Sequence, residues 1–339
     1  MRLFSSKKRS VHEGPYPMEL LKRGPMPDLK SIPKMEAISF RRPEQPNSIV
    51  NAMCEYQAML DAIRDGFINR AKAEIPNDKI KRSNHFKAFG YFSDAAVVGI
   101  CKLSKNNILD IPIHNPDIAP LAEALRTRQT KTLASGIDLI MADLKESMEA
   151  PPTTIKGHTH AIVFLYENPR QIKKSEAGVE WLENALSHRA CLRANETSAV
   201  IANYIRLLGF DAKSHSGAAS DVDLNQLAVS SGLVWVKGNQ LVAPYIGTNF
   251  GLSAITCKID LEVDRPLAPV EAQSWFKTKG PKWWLGVNSE KNALNKDLYS
   301  NRNFVDGAHP FERLKRVDKP TTYIDEASVA RVPKRTDMF

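Results

Sequence analysis

Candidate metal ligands and nucleophiles are few in this sequence and lie far apart. His158 and His160 alternate along an apolar run, so both imidazoles would share one face of a strand, but no third ligand stands at a suitable spacing. The four cysteines, at positions 54, 101, 191 and 257, form no Cys-x-x-Cys pair, whereas iron–sulfur and zinc sites need thiolates at short spacings. We therefore predict buried, reduced cysteines and neither a metal site nor an iron–sulfur cluster.

Polar side chains that can hold a ligand are concentrated in the second half of the chain. Arg206 can clamp a carboxylate or a halide, or it can be a solvated charge at the end of a helix. Residues 214–217, Ser-His-Ser-Gly, are rich in hydrogen-bond donors, and a glycine-containing loop near residues 245–251 either covers a cofactor or is a simple turn. No Gly-x-Gly-x-x-Gly follows a strand and no P-loop is present, which disfavours the nucleotide-binding folds.

The elements that must position these residues are predicted from periodicity. Apolar residues at three- and four-residue steps predict helices over 49–73, 118–125 and 195–209, and a shorter helix over 224–234. Residues 136–148 are predicted to form a helix, or a strand that leads into one. Runs of β-branched, aromatic or alternating residues predict strands over 90–101, 159–166, 210–215 and 252–261. Because helices and strands alternate without a regular β-α-β order, we predict an α+β fold with a mixed or mostly antiparallel sheet.

The order of these pieces resembles the corrinoid-binding domain of reductive dehalogenases. The resemblance is carried by Tyr-Ile-Arg-Leu-Leu-Gly-Phe-Asp-Ala at 204–212, Asn-Gln-Leu-Ala-Val at 225–229 and Pro-Leu-Ala-Pro at 266–269. It is clearest over about 155–270 and is shared more distantly with epoxyqueuosine reductases. It implies a nitroreductase-like layered sandwich with flanking helices and a cleft for cobalamin.

The resemblance also implies roles for individual residues. Tyr166, at the end of a strand, matches a proton-donating tyrosine near cobalt, which a basic residue assists in the family, and Arg206 is the second catalytic candidate. A nearby cation would have to lower the pKa of Tyr166. The alternative is a tyrosine packed in the core. The residues that would line the corrin are Ser214, His215, Ser216, Gly217, Tyr245 and Gly247.

One region departs from the family pattern. After Pro269, where the family has a cysteine-rich iron–sulfur module, this sequence has tryptophans among lysines and no cysteine. We therefore expect a reductive-dehalogenase-like protein without clusters, acting as a non-catalytic or accessory partner of a complete dehalogenase. Two alternatives stay open: cobalamin-dependent dehalogenation with electrons from a partner protein, and a flavin (FMN) enzyme of the nitroreductase type, whose cofactor needs no clusters.

Composition limits the partners and the compartment. The net charge is +9, and residues 1–42 carry ten lysines and arginines against four acids. No interleaving of aromatic and basic residues suited to stacking bases is present, so nucleic acid is not expected as a partner. No run of about 18 apolar residues predicts a membrane span, and no signal peptide is apparent, so we expect a cytoplasmic protein.

The two ends of the chain share a motif. Gly-Pro-Tyr-Pro-Met-Glu-Leu-Leu-Lys-Arg at 14–23 is matched by Gly-Ala-His-Pro-Phe-Glu-Arg-Leu-Lys-Arg at 307–316. This repeat indicates either one unit of a tandem array with its connector, as in catabolic dehalogenases with a duplicated domain, or two arms that dock equivalently. We therefore predict a proline-rich extended arm over 1–48, a dehalogenase-like domain over 49–270, and a loop-rich extension over 271–339. We also expect a protein partner or self-association through the arms.

Overall fold

The fold is built around one fully buried strand. In the computed structural model, which describes residues 9–127, 154–169, 172–182 and 185–273, β3 (His160–Glu167) has neighbours on both sides. The five residues from Ala161 to Leu165 have no exposed surface, because this β-branched and aromatic run is covered on both faces. The strand predicted over 159–166 is therefore confirmed within one residue at each end.

The sheet that contains β3 is antiparallel throughout. β1 (Val97–Lys102) and β8 (Phe250–Cys257) flank β3, and β4 (Ala212–His215) pairs with the far side of β8, which gives the order β1-β3-β8-β4. Two short ribbons accompany it, one of β2 (Ile108–Ile113) with β5 (Ser220–Val222), the other of β6 (Trp235–Lys237) with β7 (Gln240–Val242). The predicted α+β class with antiparallel pairing is confirmed.

Helices pack around this sheet. The described helices are α1 (Ile49–Ala62), α2 (Lys79–Phe92), α3 (Ile118–Thr127), α4 (Val179–Leu182), α5 (Leu186–Leu207) and α6 (Leu224–Ser230). The first residues of α1, α2 and α6 are capped by Ser48, Asp78 and Asp223, whose side chains accept hydrogen bonds from backbone N–H groups. In the described part of the chain, no helix is both long enough and apolar enough to cross a bilayer.

The longest helix, α5, lies very close to the sheet. A Cβ atom on Gly251 of β8 would fall 2.6 Å from the backbone nitrogen of Cys191, so only glycine permits this approach. Small residues such as Ala194 and Ala202 face the sheet for the same reason, together with Ile201 and Ile205. Val200 is 62% exposed, so not every large apolar residue of this helix faces the sheet.

Several predicted boundaries differ from the structure. The strand predicted over 90–101 begins only at Val97, because residues 90–92 close α2, where Gly90 lets the helix lie against Phe164. The helix predicted over 195–209 begins earlier, at Leu186, and that predicted over 49–73 ends at Ala62. The helix predicted over 136–148 and the tryptophan-containing region after 274 lie outside the described residues.

The segment before α1 crosses several elements of the domain. Between residues 9 and 48 it forms only short 3₁₀ turns and irregular extended chain, as expected for a proline-rich stretch. It makes an isolated β-bridge from Arg23 to Leu267, and the Ile38 N–H donates to the Gly217 carbonyl at 2.9 Å. Leu267 and Gly217, both within the range 49–270, thus contact this segment directly.

Because the sheet lies at the centre of the core, truncating one of its buried side chains should leave a cavity and lower the free energy of unfolding. Ile255 of β8 is fully buried opposite Ile162, so we expect Ile255→Ala to lower the free energy of unfolding by about 2–5 kcal/mol in urea titrations. The matched control is Ile111→Ala in β2, where the side chain is 83% exposed and a change within about 0.5 kcal/mol is expected. Equal costs at the two sites would contradict the placement of Ile255 in the core.

Candidate functional site

A buried carboxylate lies at the end of α1. Asp61 is 2% exposed, and its two carboxylate oxygens accept hydrogen bonds from side chains of four other residues. These donors come from α1, from the chain before α3, from α5 and from the end of β4: Gln57 at 3.2 Å, Asn115 at 2.8 Å, Asn195 at 2.9 Å and Ser216 at 2.8 Å. Burial raises the pKa of Asp61, and these four hydrogen bonds oppose that shift.

A cluster of ion pairs lies along β4 and β5. The Lys213 Nζ is 2.8 Å from one oxygen of Asp221 and 3.5 Å from Asp65, and the Arg64 Nη2 is 2.6 Å from the other oxygen of Asp221. Lys213 is only 1% exposed, and burial of an ammonium group is tolerated because it has these two carboxylates. These ion pairs therefore hold β4 in place next to residues 214–217, which were predicted to bind a cofactor.

Two buried histidines form a hydrogen-bonded chain across the sheet. The Asp221 backbone N–H donates to His215 Nδ1 at 3.2 Å, which leaves the proton on Nε2 to be donated to the Thr256 hydroxyl at 2.9 Å. The Thr256 hydroxyl in turn lies 2.8 Å from His158 Nδ1, and His158 Nε2 lies 3.3 Å from Asp211. Burial lowers the pKa of both histidines, so both are neutral hydrogen-bonding groups.

Four of the six residues predicted to line a corrin, those at positions 214–217, lie together at the end of β4, but each is already bonded within the protein. Ser214 donates to the Arg64 carbonyl through its backbone N–H at 2.9 Å and its hydroxyl at 3.3 Å. His215 belongs to the histidine chain, and Ser216 donates to Asp61. The Gly217 carbonyl accepts a hydrogen bond from the Ile38 backbone N–H. A Cβ atom on Gly217 would lie only 2.6 Å from the Ile38 side chain.

Tyr245 and Gly247 lie in a tight loop after β7 and contact the N-terminal segment. Tyr245 stacks on Tyr16 with ring centroids 5.4 Å apart, and its hydroxyl donates to the Pro17 carbonyl at 3.2 Å. Gly247 has a φ of +93° and bridges back to Ala243. The Tyr245 side of this loop is therefore covered by the N-terminal segment, whereas a Cβ on Gly247 would meet no atom within 4 Å.

Tyr166 is 4% exposed at the end of β3. Its hydroxyl donates to the Ser93 carbonyl and lies 2.5 Å from the Thr197 hydroxyl. Burial raises the pKa of Tyr166 to about 12, although the hydrogen bond with Thr197 and the charge of Arg193 act in the opposite direction. The nearby cation that the catalytic interpretation requires is present, but burial outweighs its effect.

Arg206 is 4% exposed, so it is not a solvated charge at a helix end. Its Nη1 donates to the Ala212 carbonyl at 3.0 Å and to the Arg64 carbonyl at 3.3 Å, and its Nε has no hydrogen-bond partner. Burial lowers its pKa, and the charges of Asp65 and Asp211 oppose this shift. In this geometry Arg206 joins the end of α5 to β4 and to the chain after α1.

The sequence analysis missed the residues at the centre of the polar cluster, above all Asp61. A signal existed, because Gln57 and Asp61 stand at helical spacing on the same face as the apolar Cys54 and Ala58. Polar residues on a buried helical face must have partners, so such a position predicts a polar cluster. Among the described residues, no group of three or more histidine, cysteine or acidic side chains could hold a metal ion.

A shallow apolar groove between α1 and α5 was also not predicted. It encloses about 290 Å³, and Arg189 and Glu196 are its charged members. The apolar lining consists of Tyr56, Met59, Leu60, Ile63 and Leu192.

The Asp61 cluster predicts a stability effect. Asp61→Asn keeps the shape but replaces one acceptor with an NH₂ group that faces other donors, so at least one buried group loses its partner. We expect a loss of about 1–3 kcal/mol in the free energy of unfolding, measured by urea titration. The control is Asp110→Asn on the exposed strand β2, and an equally small effect at both positions would contradict the arrangement.

A second prediction concerns pH. His188 is fully buried, stacks on Phe40 with centroids 4.3 Å apart, and has its pKa lowered by burial to about 4. An unfolded histidine titrates near 6.5, so between about pH 6.5 and 4 the unfolded chain binds a proton that the folded chain does not. The free energy of unfolding should therefore fall as the pH drops through this window.

Replacing His188 tests this directly. His188→Phe retains a ring against Phe40 and should show a smaller fall in the free energy of unfolding between pH 7 and pH 4 than the wild type. His114→Gln, at an exposed position, should keep the wild-type pH dependence. An unchanged slope in His188→Phe would show that acid destabilisation arises elsewhere.

Comparisons with known proteins show what this arrangement is similar to. No protein-family model and no curated protein matches the chain. Among solved structures, the catabolic reductive dehalogenase NpRdhA matches over 95% of this chain with 28% identity and a TM-score of 0.64. The same enzyme in complex with 3-bromo-4-hydroxybenzoic acid matches with 29% identity and a TM-score of 0.64.

A further reductive dehalogenase structure, described as suggesting a mechanism for B12-dependent dehalogenation, matches with 29% identity and a TM-score of 0.61. An epoxyqueuosine reductase reaches only 11% identity and a TM-score of 0.34, which is too low to carry an argument. This chain covers 39% of the length of NpRdhA, so it corresponds to part of that enzyme. The predicted resemblance is confirmed: the chain has a reductive-dehalogenase-like fold.

Proposed function

We propose that this chain is a reductive-dehalogenase-like unit that acts as a non-catalytic or accessory partner of a cobalamin-dependent reductive dehalogenase. The observation that carries this proposal is the internal use of the residues predicted to bind the cofactor. Ser214, His215 and Ser216 are at most 2% exposed, and their side chains make hydrogen bonds inside the protein.

A corrin would need open space and free donors at these positions. Ligand sites are concave, and a few polar groups point into the cavity. Here the N-terminal segment covers Gly217 through Ile38 and engages the Tyr245 hydroxyl through Pro17. The residues proposed from sequence therefore do not fit a corrin in this arrangement, and we derive no catalytic step through one.

The environment of Tyr166 also supports a non-catalytic role. A proton donor must come within hydrogen-bond reach of the group that it protonates. The Tyr166 hydroxyl is instead enclosed between Ser93 and Thr197, with a pKa raised to about 12 by burial. In this geometry the Tyr166 hydroxyl links β3 to α5 through Thr197 and to the turn after α2 through Ser93.

The partner role is supported by the extent of the structural match. This chain covers 39% of NpRdhA, as one unit of a larger protein would. The four cysteines of the sequence are dispersed, and the three at positions 54, 101 and 257 are buried. Electrons for any cobalamin chemistry would have to arrive from elsewhere than these thiols, which favours a role beside a complete dehalogenase.

The bound chromophore separates this proposal from the two alternatives. We expect the full-length chain, incubated without oxygen with hydroxocobalamin and then passed through a desalting column, to retain no corrin absorbance. A complete cobalamin-dependent dehalogenase treated in the same way is the positive control. The protein as purified should also lack flavin absorbance.

Corrin absorbance retained after desalting, or flavin absorbance in the purified protein, would contradict the proposal. Retention of a stoichiometric amount of corrin would support dehalogenation with electrons from a partner, and bromide release from 3-bromo-4-hydroxybenzoic acid with a chemical reductant would then be measured. Retention of flavin would support the nitroreductase alternative.

A further inference from the structure

The N-terminal strap, residues 10–23, occupies a well-defined site on the domain. It opens with a turn in which the Ser10 backbone N–H donates to the Glu13 carboxylate at 3.1 Å. Gly14 follows with a φ of +69°, and a Cβ there would lie 2.3 Å from the ring of Tyr91. Glycine is therefore required at this point both by its backbone conformation and by its contact with α2.

Aromatic and apolar side chains hold the middle of the strap. The ring of Tyr16 stacks on Tyr245, and its hydroxyl donates to Glu167 at 3.0 Å. Met18 and Leu21 are 7% and 4% exposed, whereas Leu20 between them is 41% exposed. The strap thus buries Tyr16, Met18 and Leu21 against the domain and leaves Leu20 in solvent.

Arg23 anchors the end of the strap through backbone carbonyls. Its Nη1 donates to the carbonyls of Gly232 and Arg265, each at 3.0 Å, and its Nη2 lies 3.4 Å from the Met18 carbonyl. Next to it, the Lys22 backbone N–H donates to Gln273 at 2.8 Å. A guanidinium group is needed here because one side chain must reach three acceptors in fixed directions.

The second copy of the motif keeps four of the residues that make these contacts. At an offset of 293 positions, Gly14, Pro17, Leu21 and Arg23 recur unchanged, and the buried Tyr16 and Met18 are replaced by histidine and phenylalanine. The pairs are Gly14 with Gly307, Tyr16 with His309, Pro17 with Pro310, Met18 with Phe311, Leu21 with Leu314 and Arg23 with Arg316. The turn-forming pair Ser10 and Glu13 is also matched, by Asn303 and Asp306.

The identities are not confined to buried positions, because the exposed Glu19 and Lys22 also recur, as Glu312 and Lys315. Leu20, the exposed apolar residue, is replaced by Arg313, and Pro15 is replaced by Ala308. The glycine of the turn, the buried leucine and the arginine that anchors the end of the strap are all kept in the second copy.

We propose that residues 303–316 are a second strap that docks onto another unit of this fold, at the site that the N-terminal strap fills here. On the present unit the site is taken by residues 10–23, so the second strap is available to a second unit, whose Gly232 and Arg265 equivalents would receive Arg316. This deepens the proposed partner role and names the partner by its chemistry: a domain of the same fold with an open strap site.

The strap site of this chain serves as the test surface. In the full-length variant Tyr16→Ala/Arg23→Ala/Arg316→Ala, both straps of the chain are weakened and the site is open to a peptide. A fluorescent peptide of residues 301–318 should bind this variant with saturation, as should a peptide of residues 8–25. Neither should bind the wild type appreciably, because its own strap competes.

Peptide variants separate docking from general charge attraction. Arg316→Ala in the peptide should weaken binding at least about tenfold, since a charged hydrogen-bonding group is lost. Arg313→Ala, at the position of the exposed Leu20, removes the same charge and should change the dissociation constant less than about threefold. Equal effects of the two changes would overturn the proposal.

Two other outcomes also decide the question. If only the 8–25 peptide binds, the second copy is not a strap, and if neither binds a folded variant, the site does not accept the motif. Circular dichroism melting establishes that the variant is folded, and full-length Arg23→Lys/Arg316→Lys is the milder substitute if it is not. The peptide assay contains no cofactor. A failure of the strap proposal in this assay can therefore be distinguished from a failure of the proposed function, which corrin retention on the desalting column would reveal.

Discussion

The hydrogen bonding of one buried carboxylate constrains much of this domain. Asp61 cannot be removed from water without partners, and its partners come from four separate stretches of chain. The end of α1, the approach to α3, the middle of α5 and the turn after β4 must therefore meet at one point. None of these donors carries a charge, so the arrangement depends on geometry instead of ion pairing.

The neighbouring ion pairs and histidines extend this constraint across the sheet. Lys213 lies next to Asp221, whose backbone N–H begins the chain through His215 and Thr256 to His158. The side chains of Ser214, His215 and Ser216 each make a hydrogen bond to a neighbour, although Arg64 Nη1 and Asn195 Oδ1 beside them have no hydrogen-bond partner. A ligand that used these three side chains would have to replace several buried hydrogen bonds at once. This is the physical reason for preferring a partner role to cofactor binding at these residues.

The N-terminal strap is bonded to the domain from which it extends. It covers the loop of Tyr245 and closes over the end of β3, where Tyr16 bonds to Glu167. Glu167 is an exposed residue at the end of β3, and the hydrogen bond from the Tyr16 hydroxyl joins its carboxylate to the strap. A second segment that keeps the glycine, the buried leucine and the anchoring arginine of the strap gives the chain a means of engaging another domain of the same fold without a new kind of interface.

The sequence by itself determined the secondary structure of the sheet, the family resemblance and the repeated motif. Strand β3 was predictable because a β-branched and aromatic run is a local property, and the order of elements carried the resemblance. The bounds of α2 and α5 were not predictable, since their buried faces are small or polar and give weak periodicity.

The tertiary structure alone decided the state of the candidate residues. The sequence placed Ser214, His215, Ser216 and Gly217 in one stretch, but Asp61, Thr256 and Ile38, which occupy them, are distant in the chain. Arg206 looked like a charge at a helix end until the fold buried it against two carbonyls. Whether a polar side chain is free for a ligand depends on neighbours brought in by folding, and no local pattern records them.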